Sequence, residues 1–241
     1  MRKDTLKDNF AIFLVTNFLF GSSLLMGKDT SLKQNAWLAV IVGALIAIPI
    51  YLIYNRIFKL NNKKNLFEIN TELLGPVGFI FNLLFIWYGL HLGAIVLRNF
   101  TEFAFMTLLN RTPIIFTSIL MISTTAILIK GKIKAIGNWS ALVAFIIIMT
   151  ISFSFLLSTS IFEVENLLPV FNVSISKVLK SSYAVFSFPY AEIVLILCTT
   201  NLFNEKTNLK KILFVSLGIT TFIFSIITIR NITVMGPELM H

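Results

Sequence analysis

Glu192 stands in a stretch, Ser181 to Asn204, that carries no other charge, and Pro189 lies three residues before it in the string F-P-Y-A-E, Phe188 to Glu192. A proline inside a helix removes a backbone donor and clashes with the preceding turn, so it frees carbonyl groups beside the carboxyl. An ionisable group within a membrane is costly, by roughly 2.5–3.5 kcal/mol on insertion scales, and requires a partner. Glu192 is therefore either a functional carboxyl or a structural acid bonded to a neighbouring helix. Gly21, Ser22 and Ser23 interrupt another apolar run just before Leu24 and Leu25. Gly-Ser-Ser lowers helix propensity while its hydroxyls replace lost backbone bonds, so it reads as a helix break or as a close helix contact through small residues. His91, between Gly89 and Gly93, reads as a packing histidine on a G-x-x-x-G face in preference to a proton carrier, since no acidic partner stands near it in the sequence. There is no phosphate-binding loop, metal-ligand cluster or nucleophile with a base partner, so the chain is read as neither an enzyme nor a cofactor binder.

The elements that hold these groups are strongly apolar: 56% of the 241 residues are hydrophobic, 13% are charged and 24 are phenylalanine. A mean hydropathy of +0.87 excludes a soluble enzyme and a disordered chain. The single Cys198 excludes a disulfide scaffold. Seven apolar segments approach or meet the roughly 20 residues that cross a bilayer: Phe10 to Met26, Ala36 to Asn55, Gly75 to Leu97, Thr112 to Ile129, Ala135 to Phe162, Ser181 to Asn204 and Ile212 to Ile229. The fold class is thus an all-α integral membrane protein, a bundle of about seven transmembrane helices in one membrane domain.

The net charge of +9 votes on topology rather than indicating nucleic acid: with the N-terminus cytoplasmic, thirteen basic residues fall inside and seven outside. Arg98 to Arg111 reads as an extension of the third span with Arg98 and Glu102 paired, and Ser174 to Lys180 as an interfacial helix. Asn82 and Asn138 are expected to bond between helices, Pro49 to kink the second span and Pro113 to start the fourth. Two broken helices, the first and the sixth, match transporters that hold substrate at the midplane between inverted repeats. That division makes residues 8–162 the first repeat and 163–241 the start of the second.

Several strings, in order, resemble the GerAB-type spore germination permeases of the amino acid/polyamine/organocation superfamily. They are G-S-S-L-L (Gly21 to Leu25), Q-N-A-W-L-A (Gln34 to Ala39), L-R-N-F-T-E-F (Leu97 to Phe103), Thr112-Pro113, L-L-P-V (Leu167 to Val170) and F-P-Y-A-E. Two positions depart from the pattern: Asn35 where the family has Asp, and Ala191 where it has Gly, which makes the sixth-helix break less permissive. The resemblance implies a LeuT-like inverted-repeat fold of ten helices, of which this chain holds seven, stopping near Thr233 to Gly236 with its second repeat incomplete. It implies a subunit of a nutrient receptor in the spore inner membrane, working with an A subunit and a lipoprotein C subunit and triggered by an amino acid or similar small nutrient. Carried over, the ligand contacts are Gly21, Ser22 and Ser23 on one side and Phe188, Pro189, Tyr190, Ala191 and Glu192 on the other. Exposed amides of a broken helix suit a carboxylate, while freed carbonyls and Glu192 suit an ammonium or a cation. The alternatives are a proton- or sodium-coupled amino-acid transporter using Glu192, and a truncated, inactive member of the family.

Overall fold

The structure, a computed structural model, describes residues 5–24, 31–204 and 206–236, with only the backbone of Ser22. Leu25, Met26 and the basic residues Arg2, Lys3 and Lys28 of the topology count lie outside the described residues. Within them the chain forms α1 (Asp8–Phe20), α2 (Ala36–Leu60), α3 (Leu66–Leu74), α4 (Pro76–Thr107), α5 (Ile114–Lys130), α6 (Lys132–Ser158), α7 (Ile175–Ser187), α8 (Val194–Leu197) and α9 (Leu209–Met235). Short 3₁₀ turns at Gly21–Leu24 and Tyr190–Ile193 follow α1 and precede α8. The described residues contain no strand, only a parallel bridge between Leu6 and Phe203. The helices α2, α4, α6 and α9 are long and apolar enough to cross a membrane, and α1 and α5 are shorter apolar helices. The chain is therefore a multi-helix membrane bundle, since a helix alone satisfies its backbone in lipid.

Burial sorts the helices into two groups. In α2 and α9, 39% of the apolar stretch is buried, against 6% in α4 and 11% in α6. The core is built from α1, α2, α9 and the α7–α8 segment, with Tyr51, Tyr190, Leu19 and Leu213 among its fully buried side chains. The helices α4 to α6 carry long rows of exposed Leu, Ile and Phe, as lipid-facing elements do.

Small residues set the closest approaches. A Cβ on Gly43 of α2 would lie 3.0 Å from the Ser182 carbonyl and 3.3 Å from the Phe186 nitrogen of α7, so α2 and α7 pack backbone to backbone. A Cβ on Gly137 of α6 would collide with Leu6 Cδ1 and sit 3.3 Å from Phe10 Cβ, which brings α6 against the start of α1. Ser216 of α9 donates to the Ile12 carbonyl of α1 at 3.1 Å. The N-terminal segment is then pinned by Leu6, whose N–H donates to Leu202 O at 2.9 Å and whose carbonyl accepts from Asn204 N at 3.2 Å.

Several sequence expectations change in detail. Ser174 to Lys180 is no separate interfacial helix: it is the first half of α7, which runs on to Ser187 because Ser181, Ser182 and Val185 bury against α2. The sixth span is correspondingly not one helix but α7, a break, and short turns as far as Leu202. The helix α2 continues through Pro49, and Pro113 is the N-cap of α5. Arg98 and Glu102 do pair, at 2.7 Å, on the extended α4. Asn82 bonds across to α3, donating to Phe67 O at 3.1 Å and accepting from Asn70 at 2.9 Å, whereas Asn138 is exposed on α6. The helix α3 has no counterpart among the seven spans. Its signal is a capping box, in which Glu68 N–H donates to Asn65 Oδ1 at 2.9 Å and Asn65 N–H to Glu68 Oε2 at 3.0 Å.

Asn35 is fully buried and accepts from Phe171 N–H at 2.9 Å, while its Nδ2 donates to Pro169 O at 3.4 Å. Trp37 meets the Phe171 ring edge-on at 6.1 Å. The strings Q-N-A-W-L-A and L-L-P-V thus form one joint, and asparagine supplies there a donor that an ionised aspartate lacks.

Candidate functional site

The first break begins where α1 ends. Gly21 has φ +36°, a conformation that favours glycine, and its N–H caps the helix by donating to Asn17 O. The Ser23 hydroxyl, buried, turns back onto the Leu19 carbonyl at 3.0 Å and the Phe20 carbonyl at 2.5 Å. Ser23 therefore adds a side-chain donor to the carbonyls at the end of the helix.

The second break begins where α7 ends, at Phe188 and Pro189, and the chain resumes as the 3₁₀ turn Tyr190–Ile193 with Glu192 N–H donating to Pro189 O at 3.2 Å. The Tyr190 carbonyl takes the hydroxyl of Tyr51 from α2 at 3.1 Å. The Tyr190 hydroxyl pairs with Thr221 Oγ1 of α9 at 3.1 Å. Both tyrosines are fully buried, so these bonds tie the break to two core helices. Ala191 is absent from the positive-φ residues. The expected penalty for replacing glycine there does not arise, because this break is made by Pro189 and a 3₁₀ turn rather than by a left-handed residue.

Between the two breaks lies a cavity of about 310 Å³, near the lower end of the ~300–1,000 Å³ range of small-molecule sites. One wall is the last turn of α1 from Asn17 to Gly21, a second is Phe188, Pro189, Glu192 and Leu195, and the third is Gly89, Leu92, Gly93 and Val96 of α4. Of the eight residues read from the sequence, Gly21, Phe188, Pro189 and Glu192 line it. Ser23 and Tyr190 sit behind the wall as supports, Ala191 belongs to the supporting turn, and the Ser22 side chain lies outside the described residues. Glu192 is 7% exposed, which makes it the buried carboxyl of an otherwise mostly apolar chamber.

Sequence reasoning missed the third wall and Asn17. A Cβ on Gly93 would meet nothing within 4 Å and one on Gly89 only Leu195 Cδ2 at 3.8 Å, so the G-x-x-x-G face lines the cavity instead of packing a helix. His91 is on the exposed side of α4, stacked on Trp87 at 5.2 Å. Asn17 precedes Gly21 by four residues, one helical turn, and that spacing is the signal that could have found it. Its Nδ2 donates to the Ser140 carbonyl of α6 at 2.7 Å, while its Oδ1 is buried with no partner among the described residues. No group of three His, Cys, Asp or Glu residues suited to a metal occurs among the described residues.

The family model of spore germination proteins matches residues 5–241. The chain is 25% identical over 230 residues to spore germination protein KB of Bacillus subtilis (strain 168), an alignment covering 94% of this chain and 62% of that protein. It is 29% identical over 211 residues to the putative spore germination protein YfkT of the same organism, covering 87% of this chain and 57% of that one. With the spore germination protein YndE, also from that organism, it shares 26% identity over 238 residues, covering 95% and 64%. The chain thus spans about three fifths of the length of these curated relatives. No solved structure matches. The chain belongs to the spore germination protein family.

Proposed function

We propose that this chain is the membrane-embedded subunit of a spore nutrient receptor, binding an amino acid or similar small nutrient between the breaks after α1 and α7 and triggering germination. It acts in the spore inner membrane with its N-terminus cytoplasmic, beside an A subunit and a lipoprotein C subunit. In this proposal residues 8–162 form the first of two LeuT-like inverted repeats and residues 163–241 open the second. The observation that supports it best is the cavity bounded by both breaks, with buried Glu192 in its wall. The half-helix ends and the carboxyl offer polar contacts, and the apolar remainder excludes water. Sensing requires that the nutrient bind two conformations with different affinity, since equal binding shifts nothing. The test is germination of spores lacking the gene, complemented with the parent sequence or with Glu192→Gln, across a panel of amino acids and sugars. Loss of at least one nutrient response, restored by the parent but not by Glu192→Gln, is expected. Unchanged responses to every nutrient in the deletion strain, with the partner subunits intact, would overturn the proposal.

The buried carboxyl also favours a second function, proton-coupled uptake of the same class of molecule. Uptake of radiolabelled amino acids into vesicles separates the two: accumulation driven by a pH gradient and abolished in Glu192→Gln supports transport, and its absence supports sensing.

A further inference from the structure

A groove that shares no residue with the cavity above runs between α6 and α9. Its apolar part, about 540 Å³, is walled by Ile148, Ile151 and Phe155 of α6 and by Ile219, Ile223 and Ile226 of α9. A smaller part of about 170 Å³ continues it, sharing Ile151, Phe155 and Ile226, and ends at Arg230. We propose that this groove holds an anionic phospholipid, with its phosphate on Arg230 and one acyl chain lying between the two helices.

Depth argues for the chain. From Lys211 to Arg230 the helix α9 rises roughly 28 Å, close to the ~30 Å of a bilayer's hydrocarbon core, so the two cations stand at opposite faces of the membrane. From Arg230 back to Ile219 the rise is roughly 16 Å, half of that core. The groove therefore has the length of one leaflet, with the arginine at headgroup level and Ile219 near the midplane.

Charge argues for the headgroup. Arg230 is half-buried, its Nε donating to Ser158 Oγ at 3.1 Å and its Nη1 to Asn231 Oδ1 at 3.1 Å. Both acceptors are neutral, so they orient the guanidinium without cancelling its charge, and no carboxylate pairs with it among the described residues. Glu163, whose N–H donates to Thr233 O at the same end of α9, has its carboxyl on Asn166 Nδ2 at 3.1 Å. A planar guanidinium with N–H donors to spare matches a phosphate in shape and sign. A zwitterionic lipid would bring its own cation to the same place, which favours the anionic headgroup.

The test is photolabelling of the chain in phosphatidylcholine vesicles by a trace of phosphatidylglycerol carrying a diazirine midway along one acyl chain. Labels are expected to concentrate on residues 148–156 and 219–226. The groove is expected to take about fivefold more label from this probe than from a phosphatidylcholine probe with the same chains at equal mole fraction, the effect of one basic side chain at an anionic headgroup. Arg230→Gln is expected to bring that ratio to within about twofold, whereas a merely structural role for Arg230 would lower both probes alike. Ser152→Trp, which fills the groove from an exposed position on α6 and leaves Arg230 in place, is expected to remove groove labelling by both probes. Equal labelling of the parent chain by the two probes overturns the proposal without needing any variant to fold. Labels spread evenly along the exposed rows of α4, α5 and α6 would indicate an ordinary lipid annulus and overturn it as well. Groove labelling that appears only when the chain is diluted to one copy per vesicle would assign the groove to a second copy, which likewise overturns it.

Discussion

Replacing Tyr51 by Phe removes one oxygen from a fully buried side chain and leaves its shape in place. The lost hydroxyl is the donor to the Tyr190 carbonyl at 3.1 Å, directly after Pro189 at the break before α8. With Tyr190 fully buried, no water replaces that donor; the carbonyl keeps only its backbone bond within the 3₁₀ turn, and the lost hydrogen bond is worth about 0.5–1.5 kcal/mol. The edge-on contact of the Tyr51 ring with Phe214 is kept in the variant, so the change falls on the hydrogen bond. The chain supplies its own reporter, because Cys198 is the single cysteine and sits half-buried just after α8. If local opening exposes it, Tyr51→Phe raises the rate of maleimide labelling at Cys198 by about 2- to 13-fold, which is that free energy expressed as an opening equilibrium. Tyr54→Phe, one turn further along α2, serves as the control. An unchanged labelling rate in Tyr51→Phe, or an equal rise in both variants, would refute the assignment of Tyr51 as the tie that holds the break.

Gly93→Leu places a side chain where nothing lies within 4 Å of the new Cβ, so thermal stability is expected to hold while nutrient binding measured by calorimetry is lost. Gly137→Val forces α6 away from Leu6 and Phe10, and should lower stability by about 1–3 kcal/mol in detergent melts. Asn65→Ala deletes the capping box of α3 and is expected to cost about 0.5–2 kcal/mol, read as faster amide exchange confined to residues 66–74.

Both breaks were legible because their causes are local. Pro189 and Glu192 sit within one turn of each other, and Gly21 and Ser23 carry both the left-handed turn and the hydroxyl that stabilises it. The third wall was not legible, since two glycines four apart look the same whether a helix packs on them or a cavity opens over them. Tyr51 escaped for another reason: its partner is 139 residues away, and no pattern near position 51 shows that its hydroxyl is needed. The amphipathic look of Ser174 to Lys180 was real but answered to a different surface. Within it only Val178 is half-buried, on the face that Ser181, Ser182 and Val185 continue against α2, whereas Ile175, Leu179 and Tyr183 are exposed.

The clasp of Leu6 on Leu202 and Asn204 has a consequence measured in time. Helix α1 finds its partners on α6 and α9, and the clasp of Leu6 is completed by residues made about 200 positions later. At ~5–20 residues per second, Leu6 waits roughly 10–40 s for Leu202 and Asn204, and Asn17 roughly 6–25 s for Ser140. Over that interval the nascent chain depends on lipid, the insertion machinery or a neighbouring subunit to shelter the helix on which the cavity is later built.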